Sequence, residues 1–299
     1  MDIVKELLDA GFDRVIVLDG AECGQMDVGS VLLAMMPYQA EKEPCAEDAW
    51  IHPYYYASQR AYRMADDIAK AHTEDGVQWR EDILLKPIFA RLQGFTQGRN
   101  TLSYTKEYGS RFHVQILTLK NAIPATHHLE ATQHGLHCGD CHRCEAACPT
   151  GALEGGVFHR ERCLRNWQVS GQIYPEDVRK KMGNRLIGCD ECQRCCPHNA
   201  VPERETHPIP VMLEEILDHP KQAAIELRKY IGATITMFNR VLGGACIVAG
   251  CTGREDLLPR LMELTESPSE AVANHAKWAV EKITGTPYVP VPAEEAAES

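Results

Sequence analysis

Residues 138–149 read CGDCHRCEAACP, and residues 189–197 read CDECQRCCP. The first stretch is C-x2-C-x2-C-x3-C-P, built from Cys138, Cys141, Cys144, Cys148 and Pro149. Three thiolates spaced two residues apart can wrap one iron–sulfur cube, and a fourth, turned away before a proline, reaches a neighbouring cube. The second half is less regular: Cys163 stands alone, then Cys189, Cys192, Cys195 and Cys196 lead into Pro197. By analogy with the first stretch, cluster 1 takes Cys138, Cys141, Cys144 and Cys196, and cluster 2 takes Cys148, Cys163, Cys189 and Cys192. Cys196 is preferred to Cys195 because it precedes proline and repeats the x3 spacing, which leaves Cys195 as a spare thiol. Zinc sites also use C-x2-C, but nothing in zinc chemistry calls for the x3-C-P ending twice. Two [4Fe–4S] clusters are the expectation.

Working outward, the chain has 299 residues, and nine of its 13 cysteines crowd between 138 and 196. A secreted domain spreads its cysteines as staples through a small chain, whereas this crowding inside a large chain points to metal. The 44% hydrophobic and 24% charged content suits a packed core rather than disorder. The net charge of −11 excludes a general polyanion binder, so a nucleic-acid partner must be met by a local patch. No apolar run reaches the roughly 18–20 residues of a membrane helix. The opening MDIVKELLDAGFDRVIVLDG lacks a signal peptide's basic head and apolar middle. A cytoplasmic protein with no membrane partner is the expectation. Nothing matches G-x-G-x-x-G or a P-loop, so a dinucleotide or NTP site has no support.

The first 120 residues mix helices and strands. Ile3–Ala10 reads as a helix stopped by Gly11. Val15–Leu18 and Ser30–Met36 read as strands, the latter closed by Pro37. Helical spacing predicts helices over Tyr56–His72 and Ile83–Leu92, a loop over Gly94–Leu102 and a strand over Arg111–Leu119. Beyond about 210 the pattern turns helical. Thr252 with Glu255, and Ser267 with Glu270, are spaced as capping boxes, the second with Pro268 at the first helical position. Val272, Ala276, Ala279, Val280 and Ile283 then line one helix face, as in a HEAT-like unit.

The motif segments CGDCHRCEAACPTGAL, ERCL and RKKMGNRLIGCDECQRCCPHN, taken together, resemble the epoxyqueuosine reductase family, which is related to reductive dehalogenases. GFTQGRNTL and KEYGSRFHVQILTL are similar to the family's cobalamin-contacting loop and strand. SVLLAMMPY and YYYASQRAY resemble its N-terminal half, and residues 239–283 resemble the HEAT-like region of some members. The resemblance covers roughly residues 1–283 and is dense over 94–200.

The resemblance implies an α+β fold: a shortened cobalamin-binding α+β domain at 1–125, a ferredoxin-like two-cluster domain at 126–205, a helical HEAT-like region at 206–285, and a flexible tail at 286–299. It implies an oxidoreductase that relays electrons from a separate donor such as ferredoxin or flavodoxin, through two [4Fe–4S] clusters, to cobalamin. The reduced cofactor would then convert epoxyqueuosine to queuosine in a tRNA anticodon stem-loop. Gly98, Arg99, Asn100, Tyr108, Gly109 and Ser110 sit where the family approaches the corrin. The family's proton-donating Asp falls, by a gapless count, on Trp79. Glu81 and Asp82 are the acids nearby, and a donor there needs its pKa raised by burial. Arg179, Lys180, Lys181 and Arg185, with Arg160, Arg162 and Arg165, are candidates for an anticodon arm.

These departures keep two other readings open. One is a cobalamin-dependent paralogue acting on a different small electrophile. The other is a ferredoxin-like electron carrier without cobalamin. His127, His128, His134 and His137 read as a polar connecting loop, and Tyr54, Tyr55 and Tyr56 as packing at a helix start. Cys23, Cys45, Cys246 and Cys251 have no partner spacing.

Overall fold

The computed structural model describes residues 2–39, 49–132, 138–199 and 211–289. In chain order the first stretch carries α1 (Ile3–Ala10), β1 (Arg14–Asp19), β2 (Ser30–Pro37), β3 (Trp50–Ile51), α2 (Pro53–Ala71), β4 (Val77–Arg80), α3 (Leu85–Phe89), β5 (Phe95–Gln97), β6 (Ser103–Thr105) and β7 (Phe112–Leu119). The cysteine stretch carries α4 (Arg143–Ala147), β8 (Leu153–Glu154), β9 (Val157–Phe158), α5 (Leu164–Ser170), α6 (Glu176–Arg179), β10 (Arg185–Ile187) and α7 (Glu191–Arg194). The remainder carries α8 (Leu213–Asp218), α9 (Pro220–Ile231), α10 (Phe238–Thr252), α11 (Leu258–Leu264) and α12 (Glu270–Thr284). Two compact units emerge, interleaved along the chain. The first takes residues 1–42, 52–160 and 190–208, and the second takes 43–51, 161–189 and 209–299.

The first unit is built on a four-stranded antiparallel sheet in the order β1-β2-β7-β4. Alternation along each strand divides its side chains between two faces. Val15, Val17, Leu32, Ala34, Met36, Leu117 and Leu119 face one core, shared with Ile3 and Leu7 of α1 and Ala61, Ala65 and Ala69 of α2. Three alanines at four-residue spacing let the α2 backbone lie close to the sheet. Ile16, Leu18, Val31, Leu33, Met35, Val114 and Ile116 face the other core, closed by Ile83, Ile88, Phe89, Leu92 and Phe95. A sheet covered on both faces explains why β2 reads as a nearly unbroken apolar run. Gly11 ends α1 in the left-handed conformation at φ 114°.

Several expectations need revision. The helix expected over 83–92 is only the turn Leu85–Phe89, since Pro87 within it has no N–H for a longer ladder. The loop expected over 94–102 holds β5, which pairs antiparallel with β6. Trp79 lies on the edge strand β4, which the sequence reading did not propose.

The second unit is mainly helical, centred on α10, which packs against α8, α9, α12, α5 and β10. Every residue from Val241 to Gly250 is buried. Gly250 permits this closeness: a Cβ there would stand 2.9 Å from the Ala279 Cα and from Trp278 of α12. Neither proposed capping box forms. Thr252 ends α10 and donates to the Val248 carbonyl at 2.8 Å. Ser269, not Ser267, caps α12, with Ser267 Oγ accepting its N–H at 3.3 Å. β3 pairs parallel with β10 in this unit. Residues 290–299 of the expected tail lie outside the described residues. No described helix is long and apolar enough to cross a membrane.

Candidate iron–sulfur centre

The first unit gathers most of the cysteine motif on two short helices that pack together, α4 and α7. Cys144 lies in α4 and Cys148 caps its C-terminus. Cys192 lies in α7 and Cys195 caps it, with Cys196 leading into a 3-10 turn over Pro197–Asn199. The C-P ending thus does the same work twice: the proline stops a short helix and sets a cysteine at its mouth.

Electrostatic neighbours show which thiols converge. Burial pushes the Cys196 thiol up, and Cys138 and Cys141 push it the same way. Burial also raises Cys144, with Cys138 among the contributing charges. Cys138 and Cys141 thus lie within electrostatic reach of Cys196, and Cys138 within that of Cys144. Cys195 adjoins Cys144 and Cys196, and burial pushes its thiol up to about 11, so it stays protonated near neutral pH. Backbone amides already point at two sulfurs. Arg99 N–H donates to Cys138 Sγ at 3.3 Å, and Ala152 N–H donates to Cys148 Sγ at 3.2 Å. Such bonds suit sulfurs that bear negative charge and tune a cluster's potential. Cys163 caps the N-terminus of α5, and Cys189 follows Gly188 beyond β10, both within the second unit.

A buried polar clasp fixes α7 to the N-terminal sheet. Gln193 Nε2 donates to the Ser110 carbonyl and to the Tyr38 hydroxyl, both at 2.9 Å. His52 Nδ1 accepts the Tyr54 N–H at 2.9 Å, which leaves the proton on Nε2 to donate to Gln193 Oε1 at 3.0 Å. Burial lowers the pKa of His52, so the neutral imidazole is held. Asn199 Oδ1 accepts the Ser110 N–H at 2.6 Å while its Nδ2 donates to the Gln193 carbonyl at 2.8 Å. Asn100 Nδ2 donates to the Cys192 carbonyl at 3.1 Å. Sequence reasoning missed Gln193, Asn199 and His52. The one signal was that Gln193 and Asn199 lie inside the motif segment that carried the resemblance.

The residues named for a corrin have other partners. Arg99 and Asn100 engage the Cys138 and Cys192 segments. A Cβ on Gly109 (φ +57°) would lie 2.1 Å from Asn199 Oδ1, and one on Gly98 would lie 2.6 Å from Asn100 Oδ1. The room left by both glycines is thus filled by protein. Ser110 is part of the clasp, and the Tyr108 hydroxyl donates to Asp13. These six residues do not form a corrin cradle.

Neither candidate acid has a donor's environment. Asp82 is exposed and paired with Arg80 at 2.7 Å, and that hydrogen bond holds its carboxyl down to about 2, opposite to the shift the role requires. Glu81 is exposed as well. Trp79, where a gapless count places the family's acid, donates from Nε1 to Gln115 Oε1 at 2.6 Å and packs edge-on against Tyr62. Gln115 in turn bonds His113 at 2.9 Å, where burial lowers the imidazole to about 4.

The remaining candidates have structural places. Arg179 is buried: its Nε donates to the Tyr174 carbonyl at 2.7 Å and its guanidinium lies over Trp278, so it is not open to a phosphate. Lys180 pairs with Glu176 at 2.6 Å. His127 bonds Arg14 and His128 bonds Glu22, while His134 and His137 lie outside the described residues. Tyr54 packs edge-on against Tyr38, Tyr55 and His113. Cys246 is buried in α10, Cys251 donates to the Arg179 carbonyl at 3.1 Å, and burial pushes Cys23 up to about 11. Cys45 lies outside the described residues.

Comparison with known proteins bears on this arrangement. A family described as a 4Fe-4S double cluster binding domain matches residues 137–199. Epoxyqueuosine reductase of Bacillus subtilis is 29% identical over 211 residues, covering 65% of this chain and 52% of the relative. That of Listeria monocytogenes is 30% identical over 218 residues, covering 68% and 53%. The chain therefore spans about half the length of the curated relatives it matches. Among solved structures, epoxyqueuosine reductase from Streptococcus thermophilus superposes with a TM-score of 0.73 at 21% identity, over 100% of this chain and 94% of the other. An epoxyqueuosine reductase solved with an epoxyqueuosine-modified tRNA stem loop gives 0.70 at 19% identity, over 94% and 89%. The cysteine segment is an iron–sulfur cluster binding domain, and the chain is related in sequence to epoxyqueuosine reductases and shares their fold.

Proposed function

We propose that this chain is an iron–sulfur oxidoreductase of the epoxyqueuosine reductase type, acting on epoxyqueuosine in a tRNA anticodon stem-loop. The electrostatic proximity of Cys138 and Cys141 to Cys196, and of Cys138 to Cys144, carries the reading. It is supported by the matching cluster-binding domain and by the shared fold. The proposal holds two [4Fe–4S] clusters, the first on those four thiols and the second, from motif spacing alone, on Cys148, Cys163, Cys189 and Cys192. When bound, such clusters supply single electrons at a potential set by their surroundings. The chain's own part is to hold the thiols, to aim amide N–H groups at their sulfurs, and to lock α7 through Gln193 and Asn199. A separate donor protein such as ferredoxin or flavodoxin, and a place in the cytoplasm, belong to the same proposal.

Cobalamin, which the resemblance implies, stands differently. Of the six residues named for it, Arg99, Asn100, Gly109 and Ser110 meet the cysteine segment, and Trp79 stands where an acid was expected, so no step is assigned to a corrin. These observations favour a second reading, a cluster-bearing electron-transfer protein without cobalamin.

The test is anaerobic reconstitution of the full chain with iron and sulfide, followed by quantification of iron, sulfide and added cobalamin. The protein is then incubated with reductant and an epoxyqueuosine-bearing anticodon stem-loop. Queuosine formation by the cluster-loaded protein is the expected result. Intact clusters that cycle, with no corrin retained and no turnover, select the second reading.

A further inference from the structure

Arg99 was expected at a corrin, yet its contacts all lie beside the first set of thiols. Its backbone N–H donates to Cys138 Sγ at 3.3 Å. Its Nη2 donates to the Gly139 carbonyl at 3.0 Å, and its Nη1 stands 3.9 Å from Glu145 Oε1. The side chain passes over Gly156, where a Cβ would lie 3.7 Å from Nη1. Nε is enclosed and has no hydrogen-bond partner among the described residues. An enclosed N–H without an acceptor is uncommon in a native fold and calls for an explanation, such as an ion or group that belongs there. A sulfur of a cluster held by Cys138 is an acceptor of the right kind. The side chains of Arg99 and Glu145 are only 19% and 15% exposed, so water and salt screen their charges weakly.

We infer that Arg99 and Glu145 set the reduction potential of the first cluster, as a fixed positive charge and its counterweight. The inference rests on the reading that Cys138, Cys141, Cys144 and Cys196 hold a [4Fe–4S] cluster. Reduction places one electron, and so one more negative charge, on that cluster, with no proton taken up. A guanidinium keeps its charge at any working pH, so it favours the reduced state at all times. Glu145 directly follows Cys144, and its carboxylate is anchored by the Gly156 N–H and by His142, both at 2.7 Å. Its charge opposes that of Arg99 and limits the effect.

The experiment is a potentiometric titration of the reconstituted full chain with dithionite and mediators, followed by electron paramagnetic resonance, with iron and sulfide measured in every sample. Arg99→Gln keeps a polar stem and removes the charge. Its midpoint is expected to move negative, with reduction roughly tenfold less favourable, or about 59 mV for one electron. Glu145→Gln is expected to move the midpoint positive, and Arg99→Lys to leave it near wild type. A midpoint unmoved in Arg99→Gln at wild-type iron content overturns the inference. If Arg99→Gln does not retain iron, Glu145→Gln decides alone, and a midpoint that stays put or moves negative overturns it. Wild-type protein that takes up no iron and sulfide overturns the cluster reading itself, a failure distinct from an unmoved midpoint.

Discussion

Gly109 shows how much one missing Cβ allows. It sits at φ +57°, and its open side is occupied by Asn199 Oδ1 at the position a Cβ would need. Gly109→Ala therefore combines a left-handed strain with a clash inside a buried hydrogen-bond network, each costing on the order of 1–3 kcal/mol. Thermal denaturation is expected to show the loss, and iron retention after reconstitution is expected to fall with it. The two adjacent cysteines differ in kind. Cys196→Ser is expected to lose roughly half of the iron, as removal of one of two cubes does, whereas Cys195→Ser is expected to keep it. Equal losses would sink the assignment of Cys196. The cluster-binding character of the segment was legible in the sequence, because the cysteine spacing is a local geometric signal. The partners of Ser110 were not: Asn199 lies 89 positions away, and no periodicity reports a contact at that distance.

The long elements followed their patterns and the short ones did not. β1, β2, β7, α1 and α2 were visible because an apolar run or helical spacing marked each of them. β4, β5 and β6 span only three or four residues each and are fixed by their pairing partners, so tertiary contact decides them. The capping boxes failed for a related reason, since a serine and a glutamate three apart do not fix which residue begins the helix. Leu33 on β2 is fully buried in the core that Phe89 and Phe95 close. Leu33→Ala is expected to cost about 2–5 kcal/mol, measurable by urea unfolding. Gln193→Leu, which keeps the volume of α7's inward side chain, strips partners from His52, Tyr38 and the Ser110 carbonyl at once. It is expected to cost about 1–3 kcal/mol. A neutral result there means the clasp does not hold α7.

For the molecule as a whole, acid stability has an identifiable contributor. His275 on α12 is 2% exposed, its Nδ1 has no partner among the described residues, and burial lowers its pKa to about 4. The folded state thus prefers the neutral ring. That preference is fully present above the unfolded value near 6.5 and is lost as pH falls from there toward 4, since the unfolded chain then binds a proton that the folded chain refuses. The loss is about 3 kcal/mol at most, and His275→Phe is expected to flatten the melting profile between pH 6.5 and 4. The interleaving of the two units also imposes an order of events during synthesis. The first unit needs residues 190–208 as well as its N-terminal sheet. A nascent chain that has emerged only to residue 190 therefore displays Cys138, Cys141 and Cys144 without their proposed fourth ligand, and Ser110 without Asn199 to close on it. On that ligand set, loading of the first cluster needs the ribosome to have passed Cys196, and until then three thiols are open to oxygen and to competing ions.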